Sequence, residues 1–174
     1  MTACRLRYPG SVQLRVITIF ATIATAGCAT DASTLDPDPD AHVTIDTGTY
    51  GLARHLTGDH QPGTGTPSGT TEPASGRVVR IHTLVSSPAD VTEVSSPTTY
   101  GRYLVNTPVI ASTTVDAHGF FQVALEPGTY SVFISDGDAW FCNGGDIFGK
   151  RCPVEVAPGA TVRFDIDVDY EASY

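Results

Sequence analysis

The residues of this chain that could do chemistry are few, and their spacing limits what each can do. Five histidines occur among 174 residues, His42, His55, His60, His82 and His118. No two stand at the i, i+2 or i, i+4 spacing that aims two imidazoles at one metal ion. The pattern therefore predicts solvated or edge histidines and no metal site. Asp165, Asp167 and Asp169 alternate along one segment. On a strand, same-face neighbours stand about 6.8 Å apart, from a rise of about 3.4 Å per residue. Calcium takes its oxygens at about 2.3–2.6 Å, so the three cannot close on one ion without other loops. The turn Ser135-Asp136-Gly137-Asp138 places its carboxylates better, on a loop that can curl. There is no G-x-S-x-G elbow and no phosphate loop. The expectation is a chain with no catalytic residue and no cofactor.

The cysteines carry the remaining chemistry. Arg5, Arg7 and Arg15, with no acid among them, lead into the apolar run Val16 to Ala26. That is the order of an export signal, and the run falls short of the roughly 20 residues that span a bilayer. At its end, Thr25-Ala26-Gly27-Cys28 resembles the lipobox of bacterial lipoproteins, in which small residues precede a cysteine that is diacylated and becomes the new N-terminus. The resemblance implies a signal peptide over 1–27, palmitate-type acylation of Cys28, and a membrane partner reached through the lipid anchor. A plain signal with an incidental cysteine is the other reading. Ala29 follows where enteric bacteria often place an aspartate that retains lipoproteins in the inner membrane. The resemblance thus implies an envelope location at the outer membrane.

Cys4 leaves with the signal, and Cys142 and Cys152 remain. An exported pair is free to oxidise. A bridge between them closes a loop of about ten residues, which the chain-entropy model values at roughly 2–3 kcal/mol. Two buried thiols are the alternative; zinc is disfavoured by the lack of a CxxC and of a nearby histidine. Trp140-Phe141 precedes this loop, and Asn143-Gly144-Gly145-Asp146 and Phe148 lie within it. An exposed tryptophan beside amide and acid groups can stack on a sugar ring, which makes Trp140, Phe141, Asn143 and Asp146 the expected ligand-binding residues. The competing reading has these aromatics cover the end of a core.

Removing residues 1–27 takes away three arginines and no acid, and leaves 147 residues with a formal net charge of −12. That is enough chain for one domain. Its surface repels nucleic acid and anionic headgroups, so no nucleic-acid partner is expected and the anchor has to be acyl chains. Residues 28–46, with a Pro-Asp repeat and few large apolar groups, read as a disordered tether.

From 47 to 174 the pattern is period two, which predicts an all-β domain. In 162–170, Val162, Phe164, Ile166, Val168 and Tyr170 share one face and Arg163, Asp165, Asp167 and Asp169 the other. Phe121, Val123 and Leu125 alternate likewise, as do Tyr130, Val132 and Ile134, with a Pro127-Gly128 turn between. Further strands are expected over 50–56, 77–85, 103–115, 140–142 and 154–156. Ser87-Pro88-Ala89-Asp90 predicts a short capped helical turn over 88–94. The stretch 58–76 is a long Gly/Pro/Thr loop of the kind that is mobile or binds something.

Leu125-Glu-Pro-Gly-Thr-Tyr130 reads L-x-P-G-x-Y, which sets a tyrosine just after a tight corner between sheets, where its hydroxyl can reach a backbone group. With Asp116-x-x-Gly119-Phe-Phe-Gln-Val before it and Pro153-Val-Glu-Val-Ala-Pro-Gly-Ala-Thr-Val162 after it, this resembles the carboxypeptidase regulatory-like domains. Those are seven-stranded β-sandwiches of transthyretin (prealbumin-like) type. The likeness covers residues 105–170 well and 47–104 loosely. Relatives on that fold that hydrolyse hydroxyisourate end in Tyr-Arg-Gly-Ser, whereas Tyr170-Glu-Ala-Ser-Tyr174 stands here; intradiol dioxygenases need an HxH pair, which is lacking. The resemblance implies a non-catalytic envelope lipoprotein that is a structural or interaction module, with an envelope protein as partner. A glycan- or small-ligand-binding lipoprotein is the second reading, and the exposure of Trp140 separates the two.

Overall fold

The computed structural model describes residues 34–61 and 68–174. The expected signal segment 1–27 and Cys28 lie outside them, as does the middle of the long Gly/Pro/Thr loop. Two β-sheets face each other as a sandwich. The strands are β1 (Gly48–Asp59), β2 (Thr70–Pro73), β3 (Val78–Thr83), β4 (Val91–Glu93), β5 (Arg102–Val105) and β6 (Val109–Thr114) in the first half. The second half contributes β7 (Phe120–Ala124), β8 (Gly128–Asp136), β9 (Ala139–Phe141), β10 (Pro153–Val156), β11 (Thr161–Arg163) and β12 (Ile166–Ser173). No helix among the described residues is long and apolar enough to cross a membrane.

Among the described residues twelve strands stand where seven are expected, because long strands change partners along their length. β1 is the centre of the first sheet. Its first half pairs with β11 in parallel and β7 antiparallel, and its second half with β12 in parallel and β2 antiparallel. β8 is the pivot of the second, order β4-β5-β9-β8-β3-β6, with β10 and β9 successively on one side of it and β3 on the other. Counting split strands once leaves three positions in one sheet and four in the other, and the β4–β5 hairpin is the addition. The expected strand 103–115 breaks at Pro108, which has no N–H to give, and becomes β5 and β6.

Where β11 passes into β12, the chain steps away from β1. Asp165 Oδ1 accepts the Leu52 amide at 3.0 Å in place of a backbone partner. Gly51 stands opposite this step, and a Cβ there would overlap the Phe164 carbonyl oxygen. The alternation of 162–170 survives the step: Val162, Phe164, Ile166, Val168 and Tyr170 all pack into the inter-sheet core. Phe121, Val132, Ile134 and Phe141 fill it from the other strands. The Asp116 turn forms as its sequence predicts, with Oδ1 accepting the amides of His118 and Phe120 and Gly119 at φ +86°.

Period two also creates a second core. With Val132 and Ile134 turned inward on β8, Phe133 faces out, and it is fully buried all the same. The connection from β3 to β6 covers it with Val85, Val91, Tyr103 and Val105, and Cys142 and Cys152 close the cluster. Within that connection Pro88–Asp90 forms a capped 3₁₀ turn: Asp90 Oδ2 accepts the Ser87 amide and Ser87 Oγ the Ala89 amide. The expected turn over 88–94 is therefore shorter, since Val91 re-enters a strand.

The expected tether over 28–46 is also shorter than its composition suggests. From Thr34 onward the chain lies against the sandwich. Asp36 is buried, its amide bonded to the His118 carbonyl and its Oδ2 2.8 Å from His42 Nδ1. Thr44 exchanges hydrogen bonds with the Gln122 side chain, and Asp40 pairs with Arg163 and accepts the Tyr50 hydroxyl. Polar contacts dock this segment, which is why a scarcity of apolar residues misreads it.

Candidate functional site

Cys142, just after β9, and Cys152, just before β10, form a disulfide with a Cα–Cα distance of 6.1 Å. Their strands lie along the same side of β8, so the bridge joins two successive segments of one sheet position and forces residues 143–151 out as a loop. Cys152 has φ +37°, the one positive value at a non-glycine among the described residues. Hydrogen bonds fix the base of the loop. Ser131 Oγ donates to the Arg151 carbonyl at 2.6 Å and accepts the Val85 amide, while the Arg151 amide donates to the Val85 carbonyl. At the tip Ile147 and Phe148 are 93% and 77% exposed, two adjacent large apolar side chains in water.

Between this loop, the 86–93 segment and β5 lies a cleft of about 460 Å³, lined by Pro88, Val91, Glu93, Tyr103, Phe148 and Arg151, with Ser86, Ser87 and Gly149 at its margins. Its size falls within the roughly 300–1,000 Å³ of small-ligand pockets. The Arg151 guanidinium lies 5.3 Å over the Tyr103 ring. Tyr103 is only 4% exposed, yet its hydroxyl has no hydrogen-bond partner among the described residues. Burial pushes the phenol pKa up, the Glu93 carboxylate adds to this, and the Arg151 charge opposes it. The hydroxyl keeps its proton at neutral pH and is a free donor.

The expected ligand residues do not assemble. Phe141 is fully buried in the inter-sheet core, so its assignment to a binding surface is corrected: on β9 the even-numbered residue faces out and its neighbours face in. Trp140 is half-buried, with the Arg80 guanidinium 4.1 Å from its ring centre where a sugar would stack. Asn143 Nδ2 donates to Asp169 Oδ1 at 2.8 Å. Asp146 Oδ1 accepts the amides of Phe148 and Lys150 and shapes the loop. Desolvation pushes the Asp146 pKa up, but those amides and the Lys150 charge outweigh it and hold the carboxyl low. The cleft beside the loop is instead lined by residues from segments distant in sequence, among them Glu93, Tyr103 and Arg151.

The carboxylates weighed for calcium have other partners. Asp136 lies between Arg77 and Arg102 and accepts the Tyr170 hydroxyl, and Asp138 pairs with Arg102. Asp167 holds Arg54 through two hydrogen bonds. Burial raises the Asp165 pKa, but the Arg163 hydrogen bond, the Leu52 amide and the Arg163 and Arg54 charges together depress it. His42 and His118 do share a small pocket with Asp36 and Asp38, a meeting that no local spacing foretells. No three of these, nor any three His, Cys, Asp or Glu side chains elsewhere among the described residues, are placed to hold one metal ion. Cys28 lies outside the described residues. Comparison with protein-family models, with curated proteins and with solved structures finds no match to this chain.

Proposed function

We propose that this chain is a membrane-anchored, non-catalytic lipoprotein of the cell envelope, at the outer membrane, whose sandwich is a structural or interaction module. The observation that carries the reading is the order of the N-terminal sequence: three arginines, an apolar run and small residues, ending at Cys28. A chain acylated at Cys28 has five residues before Thr34, where contacts with the sandwich begin. Six residue steps reach at most about 21 Å, so the module would work close to the membrane. The tyrosine corner adds support for a carboxypeptidase regulatory-like sandwich, since Tyr130 OH donates to the Glu126 carbonyl at 2.9 Å. Metabolic labelling with a fatty acid and intact mass of the membrane-fraction protein test the anchor. The expected result is an acyl increment that Cys28→Ser abolishes; a mature chain without the increment refutes it.

A second reading, a lipoprotein that binds a small ligand, is favoured by one observation, the cleft over Tyr103 beneath the disulfide loop. In it the loop has the task of holding one wall. Reduction of the disulfide is then expected to weaken ligand binding more than it lowers the melting temperature.

A further inference from the structure

We propose that the cleft between the 86–93 segment, β5 and the disulfide loop takes a small zwitterion with an apolar body, of amino-acid or dipeptide size. The proposal rests on the ligand-binding reading of this cleft and adds the chemistry of the occupant.

The charges in the cleft lack partners. Among the described residues Arg54, Arg77, Arg102, Lys150 and Arg163 are each paired with a carboxylate. Arg80, which lies over Trp140, and Arg151 are not, in a chain whose acids outnumber its Lys and Arg by 19 to 10, and of the two only Arg151 lines the cleft. Its backbone is fixed on both sides, by Val85 and Ser131, and it adjoins the disulfide. A guanidinium lying over a ring leaves its N–H edge free to take a carboxylate through two hydrogen bonds. Glu93 stands directly opposite Tyr103 in the β4–β5 pairing and lines the same cleft, likewise without an ion pair. One phenol thus has a cation and an anion without ion pairs at its flanks, and its own hydroxyl has no protein hydrogen-bond partner among the described residues.

That arrangement selects by charge. A simple anion would be attracted by Arg151 and repelled by Glu93, and a simple cation the reverse; a molecule with an ammonium and a carboxylate satisfies both. Val91, Pro88 and the exposed Phe148 offer the apolar wall for its side chain. Ser87 and Asp90 are already bonded to each other's backbone in the capping box and do not compete. A neutral sugar leaves both charges unanswered, and with Arg151 over Tyr103 and Arg80 over Trp140 it has only the Phe148 ring in the cleft to stack on.

The test is isothermal titration of the full chain in detergent with leucine, phenylalanine and dileucine, against leucinamide, N-acetylleucine, glucose and N-acetylglucosamine. Saturable binding of a zwitterion is expected. The amide and the N-acetyl derivative should bind about tenfold or more weakly, as should leucine to Arg151→Gln and to Glu93→Gln, each having lost a charged hydrogen bond. Tyr103→Phe should weaken binding about fivefold. Glu93→Gln should melt with the parent and Arg151→Gln close to it, since neither charge has an ion-pair partner and Arg151 gives up only its contact with the Tyr103 ring. No saturation by any zwitterion, equal affinity for leucinamide, or unchanged binding in Arg151→Gln overturns the proposal. A sugar that saturates the cleft while the amino acids do not would overturn the zwitterion and keep the ligand-binding reading. Cys28→Ser should leave the titration unchanged, so the anchor stands or falls separately, on acyl mass.

Discussion

Replacing Asp136 with asparagine tests whether the two sheets are locked by charge at one end of the sandwich. Asp136 ends β8 and its side chain is 11% exposed. Arg77 Nη1 lies 3.2 Å from Oδ1, Arg102 Nε 2.9 Å from Oδ2, and the hydroxyl of Tyr170, in the opposite sheet, donates to Oδ1 at 3.0 Å. Removing one member of a fully buried ion pair costs about 3–5 kcal/mol, because the other charge is left without an answer. Here the two arginines stay about a quarter exposed. Water recovers part of that loss, and asparagine keeps one acceptor for Tyr170, so the expected cost falls to about 2–3 kcal/mol. Urea unfolding with the disulfide intact should show the midpoint fall at unchanged slope, and thermal unfolding a drop of about 5–10 °C. Asp138→Asn, which removes a solvent-exposed partner of the same Arg102, should leave both unchanged. In a double-mutant cycle, Asp136→Asn and Tyr170→Phe should couple by about 1 kcal/mol. A stable Asp136→Asn variant, or equal losses at 136 and 138, would show that the network contributes nothing and that inter-sheet packing alone holds this end.

Three further outcomes follow from the same structure. Tyr130→Phe should lower stability by about 0.5–1 kcal/mol in urea unfolding, through loss of the corner hydrogen bond to Glu126; an unchanged midpoint would mean that ring packing alone makes the corner. Reduction of Cys142–Cys152 should lower the melting temperature by the equivalent of roughly 2–3 kcal/mol and leave far-UV circular dichroism as it was, since the bridge closes a short loop and not the inter-sheet core; loss of the β signal would contradict this. His82 is buried, and burial, with the Arg80 charge, lowers its pKa against the raising effect of the Thr107 carbonyl. The unfolded chain therefore takes up this proton first as pH falls: the His82 contribution is full above about pH 6.5 and is lost as the pH drops toward the folded pKa. The slope of stability against pH below 6.5 should be smaller in His82→Gln, and a parallel curve would assign the dependence to other groups.

Local chemistry was legible in the sequence, and tertiary meetings were not. L-x-P-G-x-Y specifies Tyr130 because turn and partner lie within five residues, and the alternation of 162–170 specifies a face because strand geometry has period two. Trp140 and Phe141 could not be sorted the same way. Adjacent strand residues face opposite sides, and which side is core depends on where β8 and β5 lie, which three residues cannot reveal. The aspartates looked free because Arg54, Arg77 and Arg102, their partners, lie on or just before other strands. The cleft joins Glu93, Tyr103 and Arg151 from three segments. Asp36 was read as tether because the histidines that cover it, His42 and His118, stand on either side of six strands' worth of sequence.

The parallel pairing of β1 with β11 and β12 sets an order on how the chain can fold. Among the described residues β1 is the first strand and the centre of its sheet, but the partners along one whole edge are the last two; Arg54 meets Asp167 across 113 residues. Until Ile166–Ser173 arrives, β1 has one open edge and the inter-sheet core lacks Ile166 and Val168. Loop closure over such distances is entropically slow, so a partly emerged chain gains little from native contacts. The inter-sheet core is thereby completed only when the last strand is in place, an order that would suit the proposed exported lipoprotein, whose chain would have to stay unfolded until it had crossed a membrane.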